Sequence, residues 1–322
     1  MNPPPTDTLQ TLQCRALSLA GLALSSALTL GAVSPLPSAL SFTPAGNGEF
    51  QFDTGVLSGK LRAEGRSFGL TSVTHRPTGQ SLSRSVGLFG LYRVFSDGKR
   101  CGTAGWDWPS EIALAEDGSV TVRCPAETNR PFALRGLYRW SSPTTLDLAI
   151  EVTPQQDLHG FEVFLASYFD PAFSNVLVQV QADSHAAAPS FLVAEKSFGD
   201  WLMFPRDTAA VSLIRDGRWE LPPNPVRWEI LPKLACPLAV RRAPASGLTA
   251  VLMAPERDCF AIAMPYQTEG HYSTYLSLFG RDLPAGKVAQ ARARLQFLEA
   301  PSDEVLLQSY RSYTEKAGAN RP

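Results

Sequence analysis

The sequence predicts an all-β protein of the sandwich or barrel type, and three observations carry that prediction. From Ser41 to Glu299 the chain is built of short alternating or apolar runs, among them "GSVTVRC", "TTLDLAIEVTP", "NVLVQVQAD" and "ARARLQFLEA". Gly, Pro, Asp and Asn break these runs at close intervals, as they do where strands are joined by tight turns. There is also no glycine fingerprint for a dinucleotide, no phosphate-binding loop and no strand–helix–strand alternation, so a parallel sheet with crossover helices is not expected.

The elements follow in chain order. Residues 1–45 differ from the rest of the 322-residue chain. Ala16 to Val33, "ALSLAGLALSSALTLGAV", carries no charge, and the small, Pro-rich "SPLPSALSFTPAG" follows it. That is the pattern of a secretory signal with cleavage between Ser34 and Ala45. It predicts a secreted or periplasmic protein with no stable membrane insertion after cleavage. Residues 46–300 form the β domain, with further strands expected at "GVLSGKLRAE", "FEVFLASYF", "AAVSLIRDG", "LTAVLMAP" and "DCFAIAMP". Residues 301–322 hold the one convincing helix. Ser302 is its N-cap, acids fill the first turn, and Val305, Leu306, Tyr310 and Tyr313 make an apolar stripe before Gly318.

Composition narrows the function. Hydrophobic residues are 44% and charged residues 18%, enough for a sizeable core, and the net charge is −1 with no basic stripe. Nucleic acid is therefore not an expected partner. Cys101, Cys124, Cys236 and Cys259 follow the leader. In an exported chain they allow the sequence-local disulfides Cys101–Cys124 and Cys236–Cys259, with four buried free thiols as the alternative. No Cys/His spacing calls for zinc, and neither a metal nor a cofactor is expected.

Two kinds of segment carry candidate chemistry. The first is aromatic and loop-like: "CGTAGWDWPSE", "KSFGDWLMFPRD" and "DGRWELPPNPVRWEILP". Trp beside acids and Arg suits a sugar, because the indole face packs on the pyranose C–H face while polar groups bind the hydroxyls. Trp106, Trp108 and Trp201 are the candidate stacking residues, and Arg206 is the candidate clamp for an acidic sugar. The second is "EGHYSTYLS". On a strand, Glu269 and His271 would share a face, so the carboxylate could orient the imidazole as a base, with Tyr275 on the same face. His75, His159 and His185 sit in turn or loop contexts and read as structural or solvated. No spacing along the chain selects the carboxylate pair that a glycosidase needs.

"YRWSSPTTLDLAIEVTPQQDLHGFEVFLASYFDPAF" (Tyr138–Phe173) resembles the central part of galactose-mutarotase-like proteins, with an aromatic strand, an "L-x-L" strand, a polar turn and a strand ending in Tyr-Phe. "LSLFGRDLPAGKVAQARARLQFL" (Leu276–Leu298) is similar to the closing strands of that superfamily, and "GVLSGKLRAEGRSFGLTSVTHRPTGQSL" to its opening. The resemblance implies a large antiparallel β-supersandwich with a concave sugar-binding face. Aldose epimerases carry an Asn-His before the Tyr-Phe motif, and that His belongs to their acid–base pair. The same slot here reads Leu165–Ala166–Ser167–Tyr168–Phe169–Asp170, without the His. Glu162, Tyr168 and Asp170 are the polar groups left nearby. The expectation is thus a carbohydrate-active protein acting on a mono-, oligo- or polysaccharide. His271, Glu269, Tyr168 and Tyr275 would carry epimerase- or lyase-like acid–base chemistry, and Arg206, Trp201, Trp106, Trp108, Glu162 and Asp170 would bind substrate. The alternatives are a non-catalytic glycan-binding protein of the cell envelope and a purely structural envelope protein.

Overall fold

The computed structural model describes residues 40–62, 69–84, 86–182, 188–265 and 271–319. Residues 1–39 of the expected leader, His185 and Glu269 lie outside the described residues, and the end of the expected leader belongs to a strand, Phe42–Gly46.

The alternating runs form three sheets, and the two large ones are the layers of a sandwich. The smallest has five strands in sequence order, from Phe42–Gly46 through Glu49–Asp53, Leu57–Arg62 and Gly69–His75 to Gln80–Ser81. A nine-stranded sheet is centred on Phe132–Ser142, Thr145–Pro154, Ala289–Glu299, Leu248–Met253 and Leu234–Arg242. In its Phe132–Ser142 strand, buried residues alternate with half-buried ones, the period-2 signature of a sheet with one face on a core. The seven-stranded sheet runs in the order Glu229–Ile230, Trp201–Pro205, Cys259–Pro265, Ser273–Leu283, Leu158–Tyr168, Gly90–Ser96, Lys99–Arg100. Its pairings are antiparallel except that of Trp201–Pro205 with Glu229–Ile230.

Phe132 of the nine-stranded sheet meets Phe161 of the seven-stranded sheet edge to face, with centroids 5.1 Å apart. The Tyr138 hydroxyl donates to the Phe89 carbonyl at 2.9 Å and so pins one layer to the other. Burial pushes that phenol's pKa well up, which keeps it a donor.

The expected C-terminal helix runs Asp303–Ala319, continuing past the stop expected at Gly318. Ser302 Oγ accepts the Val305 N–H at 3.4 Å. Leu306 and Tyr313 pack on Leu238, Val240, Val251 and Met253, covering the outer face of the nine-stranded sheet. No helix among the described residues is long and apolar enough to cross a membrane.

Two expectations need correction. "AAVSLIRDG" is not a strand: Thr208–Ile214 is a short helix, because Asp207 caps it by accepting the Ala210 N–H at 2.8 Å. The cysteines form no disulfide either. Cys101, Cys124, Cys236 and Cys259 are free thiols. Burial raises their pKa values to about 12, 11, 12 and 12, so they behave as small apolar side chains in a core that needs no staple.

Candidate functional site

The face of the seven-stranded sheet that points away from the sandwich core carries a second aromatic cluster. Along Leu158–Tyr168, Val163 and Leu165 belong to the main core, whereas Phe164, Ala166 and Tyr168 belong to this outer cluster. Period-2 alternation accounts for that division. Gly90–Ser96 breaks the alternation. Its register against the neighbouring strand shifts between the pairs Phe164–Arg93 and Leu165–Leu91, which leaves Tyr92 as an extra residue. A bulge of this kind re-aims side chains, and here both Tyr92 and Arg93 reach the outer face.

The result is a cleft of about 710 Å³. Its floor is Tyr92, Arg93, Phe164, Tyr168 and Tyr275 from three neighbouring strands. Its walls include Trp106, Trp201, Trp219, Trp228 and His271, with Arg84 at the exposed edge.

The rings are locked against one another. Trp106 stacks on Tyr92 at 4.4 Å with planes 5° apart. The short 3-10 turn Gly105–Asp107 makes this possible, because a Cβ on Gly105 would lie 2.4 Å from the Leu91 side chain. Phe164 stacks on Tyr275 at 4.5 Å and meets Trp219 edge to face at 4.6 Å. Trp228 meets Trp219 edge to face at 5.2 Å and Trp201 at 5.8 Å. Such interlocked rings make a rigid apolar platform.

Polar groups enter this platform at two places. At one end, His271 lies 5.9 Å from Trp201 and 6.1 Å from Tyr168, centroid to centroid. It precedes the strand Ser273–Leu283 rather than lying on it, and Tyr272 between them has a positive φ of 49°. Behind this turn the wholly buried Arg241 donates to Thr274 Oγ1 at 2.7 Å, to the Phe173 carbonyl at 3.0 Å and to the Ser273 carbonyl. The strand entry is thereby fixed. Burial, and then the Arg84 charge, hold the His271 pKa below its usual 6.5, so the imidazole is neutral at pH 7. Beside it the hydroxyls run in series. Ser273 Oγ donates to the Tyr275 hydroxyl at 2.8 Å, which donates to the Tyr168 hydroxyl at 3.1 Å. Burial, reinforced by Tyr275, raises the Tyr168 pKa well above 10.0, so this phenol holds its proton.

At the other end, Arg93 is buried at 3% exposure. Its guanidinium lies 4.9 Å from the Tyr92 ring centroid and 5.3 Å from that of Trp219. Nη2 donates to the Asn224 carbonyl at 2.9 Å and to the Tyr92 hydroxyl at 3.1 Å. Among the described residues no carboxylate pairs with it, and no Asp or Glu lines the cleft.

Of the residues singled out in the sequence, His271, Tyr168, Tyr275, Trp106 and Trp201 line this cleft. Glu269 lies outside the described residues. Four others are elsewhere. Trp108 is in the sandwich core, 6.2 Å from Phe132 and beneath the Arg130 guanidinium at 4.0 Å. Glu162 shares the outer sheet face, but Arg218 covers it with a 3.1 Å ion pair. Arg206 is paired with Asp207 at 2.7 Å and borders a separate groove beside Glu256 and Tyr310. Asp170 accepts the Ala172 N–H at 3.0 Å in the turn after the strand. Sequence reasoning passed over Tyr92 and Arg93, whose signal was a lone Arg inside the apolar run "GLFGLYRVFS". Among the described residues no group of His, Cys, Asp and Glu is arranged to hold a metal ion.

Known structures share this architecture. The chain aligns with a galactose mutarotase related enzyme from Lactobacillus acidophilus at a TM-score of 0.50 and 11% identity, covering 80% of this chain and 99% of that one. A protein from Synechocystis aligns at 0.50 and 12% identity, over 77% of this chain and 94% of its own. The fold is galactose-mutarotase-like. An α-N-acetylgalactosaminidase from Bifidobacterium bifidum contains the same fold, at a TM-score of 0.53 and 14% identity, over 84% of this chain but 39% of that much longer one. At these identities the likeness is one of architecture. No protein-family model and no curated protein sequence matches the chain.

Proposed function

We propose that the cleft binds a saccharide and that His271 and Tyr168 exchange protons with it. One observation carries this reading. A neutral imidazole and a protonated phenol stand 6.1 Å apart, centroid to centroid, at the end of an aromatic cleft whose volume of about 710 Å³ is large enough for a sugar ring. The indole faces of Trp106 and Trp201 offer stacking surface for pyranose C–H faces, while Asn224, Tyr168 and Tyr275 offer hydrogen bonds to hydroxyls. His271 is the base, because its depressed pKa leaves it unprotonated at neutral pH. Tyr168 is the acid. The chemistry that fits is proton removal from a sugar carbon or oxygen coupled to proton delivery, as in isomerisation or β-elimination. Hydrolysis between two carboxylates fits less well, since no Asp or Glu among the described residues lines the cleft. Export by the leader belongs to the same reading, supported by the uncharged 16–33 sequence run.

The test is a screen of neutral and acidic glycans against the wild type and His271→Ala, reading binding and product together. Turnover that disappears in His271→Ala while binding persists supports the reading. Binding without turnover in either protein leaves a glycan-binding module and removes the acid–base roles. No binding to any glycan overturns the proposal.

A further inference from the structure

Six side chains that line the cleft, Arg84, Arg93, Trp106, Trp201, Trp219 and Trp228, can only donate, and the charges that line it among the described residues are positive. Arg93 is the centre of this imbalance. It is nine-tenths buried or more, yet among the described residues it meets only two aromatic faces, one backbone carbonyl and one phenol. Its Nε is buried with no acceptor among the described residues, and so are the indole N–H groups of Trp219 and Trp228 in the same lining. Native interiors rarely leave such donors unmatched, and a cluster of them needs an explanation.

The neighbouring charge deepens the imbalance. The half-buried Arg100 points Nη1 at the Pro223 carbonyl, 3.4 Å away, next to the Asn224 carbonyl that Arg93 uses. The two guanidinium groups repel each other, and burial together with Arg93 lowers the Arg100 pKa. Asp107 faces Arg100 from an exposed position, but it lies outside the cleft lining. Arg84 adds a third positive side chain at the cleft edge. A site that gathers positive charge and donors, with no carboxylate lining it among the described residues, is complementary to negative charge and acceptors.

We infer that the sugar held in this cleft carries an anionic substituent, a carboxylate, sulfate or phosphate, seated against Arg93. This rests on the saccharide reading above and names its substrate class. The anion accepts from the guanidinium edge, and its ring lies along the Trp219–Trp228 wall. Arg93 takes the role that the sequence pattern had assigned to Arg206, whose guanidinium is engaged by Asp207 outside the cleft.

The experiment is calorimetric titration of the full-length protein with matched pairs. Uronate oligosaccharides are compared with their carboxyl-reduced forms, and sulfated and phosphorylated sugars with their unsubstituted forms. Inorganic sulfate and acetate serve as separate ligands. One acidic member is expected to bind at least about tenfold tighter than its neutral partner, and Arg93→Gln to reduce that preference to about twofold or less, with Arg93→Lys between. The pair that shows the preference identifies the anion. Equal affinity for charged and neutral partners in the wild type overturns the inference while leaving the saccharide reading standing. A preference that survives Arg93→Gln overturns the assignment to Arg93. Inorganic sulfate or acetate binding as tightly as the acidic sugar, or no ligand binding at all, overturns both readings. The wild-type comparison decides the matter even where a variant does not fold.

Discussion

Arg218 and Glu162 form an ion pair at 3.1 Å beside the cleft floor on the same outer sheet face, with each side chain only 1% exposed. Arg218 also holds Asp216 at 2.8 Å and the Gly160 carbonyl at 2.9 Å. Gly160 has a φ of +53°, and a Cβ there would lie 2.9 Å from the guanidinium, so the turn and the ion pair are built around each other. Removing one member of a buried pair leaves the other charge stranded. Arg218→Ala, which strands the buried Glu162, is therefore expected to cost about 3–5 kcal/mol of stability. Urea unfolding checks it, and a midpoint unchanged from wild type contradicts the buried pair. Glu162 thus belongs to the support of the site, in contrast to the binding role its sequence position suggested.

Trp108 and Trp201 separate core from cleft. Trp108 is 3% exposed and packed between Arg130 and Phe132, so Trp108→Ala is expected to lose about 3–5 kcal/mol of stability. Trp201 stands half-buried on the cleft wall. Trp201→Ala is expected to weaken glycan binding by at least about tenfold, with the smaller stability loss of a partly exposed side chain. Thermal unfolding and titration of both variants give the comparison. The opposite pattern would exchange the two assignments.

These two residues also mark the limit of what the sequence reveals. They occupy equivalent contexts, a Trp beside Asp or Gly in an aromatic loop, and nothing local distinguishes them. The strands and the C-terminal helix were legible because periodicity and capping are local properties of the chain. The Thr208–Ile214 helix was not, since its apolar run fits a strand as well and a single Asp before so short a run does not distinguish the two. His271 and Tyr168 come from segments far apart in sequence, and their meeting depends on the pairing of Leu158–Tyr168 with Ser273–Leu283. Arg93 was hidden for a third reason. A one-residue bulge turns it to the outer face, and bulges carry no reliable local signature.

The free thiols lead to a simple expectation. All four described cysteines are reduced, and burial holds each pKa well above neutrality. A reducing agent should leave the melting temperature unchanged, and alkylation under native conditions should be slow at every one of them. Mass spectrometry after native and denaturing alkylation reads the outcome. A reductant-induced drop in melting temperature would reveal a disulfide.

The Tyr168 hydroxyl accepts from Tyr275 at 3.1 Å, so its own proton is directed elsewhere. Tyr168→Phe keeps the ring and removes that proton. On the acid–base reading, turnover falls by about 10²–10⁴-fold with little change in affinity, because a general acid acts in the transition state. Tyr275→Phe breaks the relay one step further back and is expected to cost less. Equal losses of affinity and turnover in Tyr168→Phe would instead make the phenol a binding group.

The pH dependence of His271 has a definite sign. Its folded-state pKa lies below 6.5, first because of burial and then because of Arg84. A base must be unprotonated to act, so the rate is expected to be flat through neutral pH and to fall on the acid side, below 6.5. Stability shifts in the same direction. As pH falls through 6.5 the unfolded chain takes up the proton before the folded one does, so this contribution is present above 6.5 and is lost as pH falls towards the folded value. His271→Ala should remove both dependences. Arg84→Gln should move the rate profile's acid limb upward, towards 6.5, because one opposing charge is gone. An acid limb that does not respond to Arg84→Gln would assign the titration to a group other than His271.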